Sequence, residues 1–328
     1  MNTTPTPVPG VAQVPPGSPA GSPTVAPTVK AVESPNDLVN LPTGQELNDL
    51  GLNALSLSRF GRLIVTAGPV GCGKTTLLTS LYEKFQEAPV SDYYFSGSET
   101  LAAFEKRCFF SRTASGRDTA ETDRTPFGDP RYLHLRVSKK ALPKTSIDLL
   151  FTDISGEAYE RARDSKSDCQ RLDFLKRADH VVFVTDCEKL VQLTKRNGIV
   201  HDTMMLLRSC LDARMLGKES FVTVLWARFD FITRESDKTT HYSFLESAKR
   251  EFESEFAVRL GKLSFAEAAA RPKFAKANLD FGHGLPNLLK EWCEVSPRNR
   301  HVNLAQDLNL GDRESEKFGA RHFQTVNA

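Results

Sequence analysis

The chain has no CxxC pair and no cluster of cysteine with histidine. Its six cysteines, at 72, 108, 169, 187, 210 and 293, are scattered through 328 residues. That spacing argues against a zinc site and against a disulfide framework. No apolar run approaches the length that spans a bilayer. The first residues lack the charged-then-apolar pattern of a secretory signal, which leads us to expect a reduced, cytoplasmic protein. Charge of one sign is missing too. A formal net charge of +2 gives no electrostatic reason to expect nucleic acid or a membrane surface as partner. Residues 1–36 hold nine of the eighteen prolines and carry no aromatic or large aliphatic side chain. Such a segment cannot bury enough apolar surface to offset its ordering entropy, so a tail over 1–40 is expected.

What the chain does contain is a body of alternating segments from 41 to 296, followed by a polar tail over 297–328. The spacing of Leu47, Leu50 and Leu55 suggests a short lead-in helix. Strands are expected at Leu63–Ala67, Tyr132–Val137, Ile147–Thr152, His180–Thr185, Phe221–Trp226 and Phe274–Ala277. Four of these are continuous apolar runs, as in strands covered by helices on both faces. Helices are expected over "KTTLLTSLYEKF", "DTMMLLRSCLDARML" and "GLPNLLKEWC". Another is expected from His241 to Leu260, where Phe244, Ala248, Phe252, Phe256 and Leu260 recur every fourth residue. The alternation predicts an α/β fold, a three-layer sandwich around a mostly parallel sheet.

"GPVGCGKTT" (Gly68, Pro69, Val70, Gly71, Cys72, Gly73, Lys74, Thr75, Thr76) satisfies G-x-x-x-x-G-K-[ST] directly after an apolar strand and before an amphipathic helix. Its glycines let backbone N–H groups turn inward around phosphate oxygens, with the helix N-terminus behind them. Lys74 is expected on the β/γ-phosphates and the Thr75 hydroxyl on Mg²⁺. Cys72 either fills a permissive position or serves as a redox-sensitive thiol.

Two further signals follow. In "IDLLFTDISGE" a buried strand leads to Asp153 and, three residues on, Gly156. An Asp there can bind the Mg²⁺ water shell, and the Gly N–H can meet a γ-phosphate, as in the D-x-x-G turn of GTPases. In "VTVLWARFD" the strand ends at Ala227-Arg228-Phe229-Asp230. Ras-like GTPases carry [NT]-K-x-D here, and its Asp reads guanine. Asp230 stands in register, Arg228 replaces Lys, and the Asn/Thr is lost. "FAKAN", before "GHGLPNLL", offers Ala275 and Lys276 for the last guanine-contacting loop.

Between the phosphate loop and Asp153, the polar stretch "SRTASGRDTAETDRTPFGDP" has the composition of a mobile loop. Thr125 is the candidate to close over Mg²⁺, with Thr122 and Thr119 as alternatives. Arg124, Arg161 and Arg163 are candidates for a cis arginine finger. Glu157 follows D-x-x-G, where many GTPases carry the Gln that orients the attacking water. A carboxylate there predicts slow hydrolysis.

In order and spacing these segments resemble Ras/translation-factor GTPases, and most closely the bacterial double-GTPase (DO-GTPase) families. The resemblance rests on "GPVGCGKTTLLTSLYEKF", "YLHLRV", "LLFTDISGEAYERARDS", "FLKRADHVVFVTDCEKL" and "GHGLPNLL", and covers about 62–293. It implies Ras-like topology, GTP/GDP as ligand and a partner protein (effector, activating protein or second GTPase). It also implies a place in bacterial conflict or stress systems. An ATP-using P-loop NTPase or kinase, and a scaffold that binds nucleotide without hydrolysing it, remain the alternatives.

Overall fold

Seven strands pair in the order β2-β3-β4-β1-β5-β6-β7. They are β1 (Gly61–Ala67), β2 (Tyr93–Gly97), β3 (Arg131–Lys139), β4 (Leu142–Asp153), β5 (His180–Asp186), β6 (Phe221–Ala227) and β7 (Lys262–Ala268). The computed structural model describes residues 43–109, 128–234, 238–274 and 278–294. β4, β1, β5, β6 and β7 run parallel, while β3 pairs antiparallel with both β2 and β4. This is a mostly parallel sheet with an antiparallel flank.

Helices cover both faces, and side-chain alternation sorts the strand residues between two cores. Leu63, Val65, Val181, Phe183, Val222 and Val224 join one cluster. It also takes in α1 (Asp49–Ser58), α4 (Gly156–Asp164), α5 (Lys166–Gln170), α6 (Cys187–Leu190), α7 (Arg196–Asp212) and α9 (Lys238–Phe256). Ile64, Val182, Val184, Leu149 and Phe151 join the other, with α2 (Lys74–Glu87), α3 (Leu101–Phe109) and α10 (Leu285–Glu294). A strand buried on both faces needs apolar residues at successive positions, which is why Val181–Val184 ("VVFV") is unbroken. Each fully buried aliphatic or aromatic side chain contributes about 1.5–3 kcal/mol. α8 (Asp230–Arg234) is a single short turn after β6.

Five expected strands fall within observed ones. Of the sixth, Phe274–Ala277, all but Phe274 lie outside the described residues, and Phe274 is in irregular chain. Among the described residues the sheet ends on β7, Lys262–Ala268, a strand the sequence reading does not include. The sequence "KLSFAEA" is half-buried at a sheet edge, so it needs few apolar residues and gives a weak signal. β2 also went unforeseen, a five-residue edge strand with alternating burial. The long helix ends at Phe256 rather than Leu260, although Phe252, Phe256 and Leu260 are all buried as the spacing predicts. The expected tails, Thr119, Thr122, Arg124, Thr125, Ala275 and Lys276 lie outside the described residues.

Candidate functional site

The C-terminal ends of β1, β4, β5 and β6 converge on the loop Gly68–Gly73. Gly71 and Gly73 have φ of 75° and 102°, the left-handed region that a side chain would strain. Gly73 is the N-cap of α2 without a side-chain cap, which places the positive end of that helix at the loop. Lys74 arches back over the loop, its Nζ donating to the carbonyls of Gly68 (2.9 Å) and Pro69 (3.1 Å). Thr75 and Thr76 follow in the first turn of α2. Cys72 is fully buried, and burial pushes its thiol pKa up against the pull of Lys74. It fills space there rather than presenting a thiolate.

Asp153 ends β4 and is 4% exposed. Three residues later Gly156 starts α4 directly against the loop. A Cβ on Gly156 would sit 2.2 Å from the Val70 nitrogen and 2.4 Å from the Pro69 carbonyl carbon. Only glycine permits that approach. Ser155 caps α4, and Glu157, half-buried, donates its N–H to the Ser155 Oγ. Arg161 is exposed on α4, whereas Arg163 is held by Asp164 (2.7 Å) and Asp202 (3.1 Å).

Several residues that the sequence did not single out complete the site. Glu160, one turn along α4, accepts a hydrogen bond from the Val70 N–H at 3.0 Å. The Tyr159 ring lies under Lys74 Nζ, 5.7 Å from its centroid. Arg107, from α3, donates to Asp153 Oδ2 through Nε (2.9 Å) and a terminal nitrogen, and that terminal nitrogen also meets Glu46 at 2.8 Å. Burial works against the Arg107 charge, but Asp153 and Glu46 outweigh it and hold its pKa above the ordinary value.

Arg228 has φ of 57° and reaches across to the loop, donating to the Gly71 carbonyl at 2.7 Å. It also pairs with Asp186, at the end of β5, and with Glu188. Burial raises the Asp186 pKa, and Arg228 opposes that. Asp230 is 1% exposed, and its Oδ2 accepts the Lys273 N–H at 3.0 Å. It therefore tethers the segment after β7.

The sequence model of one family, described as Double-GTPase 2, matches residues 62–293. The chain belongs to the Double-GTPase 2 family. Membership supports a GTP-binding protein. A search of curated proteins finds no match. Among solved structures, the chain is similar to a bacterial selenocysteine-specific elongation factor, EF-Sec. Identity there is 14% and the TM-score 0.34, over 72% of this chain and 28% of that one. It is similar also to the GTPase-like domain of S. cerevisiae Ski7 bound to GDP and inorganic phosphate, at 14% identity and TM-score 0.40, over 74% and 51%. A third is a signal recognition particle receptor SRb-GTP/SRX complex from Chaetomium thermophilum, at 14% and 0.37, over 66% and 94%. The chain thus spans about a quarter of the elongation factor's length and about half of the Ski7 domain's. At such scores the likenesses carry no functional argument, and the assignment rests on the family match and the chain's own sheet.

Double-GTPase 2 membership raises the question of a metal. Among the described residues no group of three or more His, Cys, Asp or Glu side chains could hold one. Magnesium does not require such a cage, because it keeps waters and takes one or two protein oxygens beside phosphate oxygens. Thr75 and Asp153 offer that hard-oxygen set at the ends of elements flanking the loop. Asp153 is a buried carboxylate whose present counter-charge is Arg107, so a metal there would compete with that guanidinium. The residues fit magnesium. Among the described residues no helix is long and apolar enough to cross a membrane.

Proposed function

We propose that this Double-GTPase 2 chain binds Mg²⁺·GTP in the Gly68–Thr76 loop and hydrolyses it slowly to GDP and phosphate. In this reading it acts as a switch for a protein partner in a bacterial conflict or stress system. The observation that carries the reading is the seating of Gly156 on Val70 and Pro69. Backbone that would cradle the triphosphate touches backbone that would sense its last phosphate, so occupancy of one is felt by the other.

In this reading the loop amides and the start of α2 hold the β-phosphate, and Lys74 swings from its carbonyl partners to the β/γ-oxygens. The Gly156 N–H meets the γ-phosphate, and Thr75, Asp153 and Thr125 hold the metal. When bound, magnesium neutralises charge building on the phosphate oxygens. Glu157 stands beside the attacking water and orients it, at the cost of a negative charge near an anionic phosphate. Arg124 is the candidate to offset that charge. Arg163 is a weaker one, being already committed to Asp164 and Asp202. Arg228 with Asp230, Ala275 and Lys276 form the guanine side.

A multiple-turnover phosphate-release assay tests the hydrolytic part. Wild-type protein with GTP and Mg²⁺ is expected to release phosphate at about 10⁻⁴ to 10⁻² per second, the range of unassisted switch GTPases, and Lys74→Ala at background. Equal release by the two would leave a nucleotide-dependent scaffold. The second reading, an ATP-using NTPase, is favoured by one observation. Asp230 is almost fully buried and its Oδ2 is occupied by the Lys273 N–H, which restricts its access to a base.

A further inference from the structure

Arg107 joins Asp153 to a part of the fold outside the phosphate loop and its neighbours. It lies on the inward face of α3, one turn beyond the buried Ala103 and Phe104, and Nη1, the terminal nitrogen that does not meet Asp153 or Glu46, donates to the Ala103 carbonyl at 3.0 Å. The segment carrying Glu46 is fixed beside it. Ala103 donates its N–H to Gly44 at 2.8 Å, and Leu47 bridges to Tyr132 of β3. Gly44, at φ 73°, lies so close to α3 that a Cβ would meet that of Ala102 at 3.0 Å. Arg107 is therefore presented to two carboxylates: Asp153, 4% exposed at the end of β4, and Glu46, with a side chain 27% exposed.

Both Arg107 bonds to Asp153 end on the same oxygen, Oδ2. That carboxylate is desolvated and needs a counter-charge. A divalent cation taking it as ligand, directly or through its water shell, would supply that charge and repel the guanidinium beside it. Glu46 is already within bonding distance of the same terminal nitrogen, so Arg107 has a second acceptor without leaving its helix.

We propose that Arg107 is the internal counter-cation of Asp153, and that Mg²⁺ must exchange with its guanidinium, which then pairs with Glu46. The proposal rests on the Mg²⁺·GTP reading above and deepens it. It makes Arg107 a positioning residue that sets the Mg²⁺ concentration at which the nucleotide is held, and coupling of this kind between two cations is reciprocal. Removing Arg107 takes away a cation that competes with the ion for Asp153. Removing the Glu46 charge takes away the acceptor that receives Arg107 and holds it on Asp153. The two changes therefore push in opposite directions, which a general loosening of the fold would not do.

The test uses full-length protein and a fluorescent N-methylanthraniloyl-GTP, with binding followed across a Mg²⁺ titration. Arg107→Gln is expected to lower the half-saturating Mg²⁺ concentration by about fivefold or more, and Glu46→Gln to raise it by a few-fold. If wild type shows Mg²⁺-dependent binding and both variants share its midpoint, the exchange is overturned while the GTP reading stands. If no form, wild type included, gains affinity from Mg²⁺, the reading beneath it falls as well. Should Arg107→Gln fail to fold, Glu46→Gln decides alone: a raised midpoint supports the exchange, and an unchanged or lowered one overturns it.

Discussion

Gly156 carries more of the site's geometry than any charged residue. Adding one methyl there places it inside the contact radius of backbone atoms of Pro69 and Val70, and backbone cannot swing aside as a flexible side chain can. Gly156→Ala is therefore expected to fold yet displace the loop, lowering GTP affinity by at least about tenfold, or about 1.4 kcal/mol. Calorimetric titration checks this, and wild-type affinity would show that the contact does not govern the site. The phosphate loop was legible because its function lies in backbone shape, which Gly and Lys spacing encodes locally. Arg107 and Glu160 were not. Glu160 meets Val70 across 90 positions and Arg107 meets Asp153 across 46, separations that only tertiary packing closes. Arg228 was legible as a position but not in its role, since its partners come from the phosphate loop (Gly71), β5 (Asp186) and α6 (Glu188).

At the scale of elements, β5, β6 and β7 share a polar chain that runs across neighbouring strands to α10. His180 Nε2 meets the Thr223 hydroxyl at 2.7 Å, Thr223 meets Ser264 at 2.7 Å, and Ser264 donates to Glu291 of α10 at 3.0 Å. Burial holds the His180 pKa down at about 4, with nearby Glu291 pulling it up and Lys262 pushing it further down. The neutral imidazole is thus favoured by folding. Its contribution is complete above the unfolded value, about 6.5, and is lost as pH falls from there toward 4, because only the unfolded chain takes up the proton. Between pH 7.5 and 5 the wild type is expected to lose about 2 kcal/mol more stability than His180→Gln. Urea unfolding at the two pH values checks this, and parallel losses would contradict it. The same strands show where periodicity suffices. β1, β5 and β6, buried on both faces, were read within a residue or two of their bounds. The edges β2 and β7 were missed because half-burial leaves only a short, mixed pattern.

For the whole molecule, the order of loop, D-x-x-G turn and following strands fixed the fold class before the sheet was known. It did so because a P-loop strand must be central and its parallel neighbours must deliver their ends to the same edge. The base side was less legible. Among the described residues the last strand lies earlier than "FAKAN", and the buried Asp230 carboxylate is taken up by the Lys273 N–H. The central claim is that this loop holds a guanine nucleotide together with Mg²⁺. Thermal unfolding of the full chain with GTP, GDP or ATP, each with Mg²⁺ or with chelator, tests it most directly. At ligand about a hundredfold above Kd the account predicts that GTP with Mg²⁺ raises Tm by about 5 °C or more, ATP by far less, and chelator removes most of the gain. Equal stabilisation by ATP, or none by GTP, would contradict it.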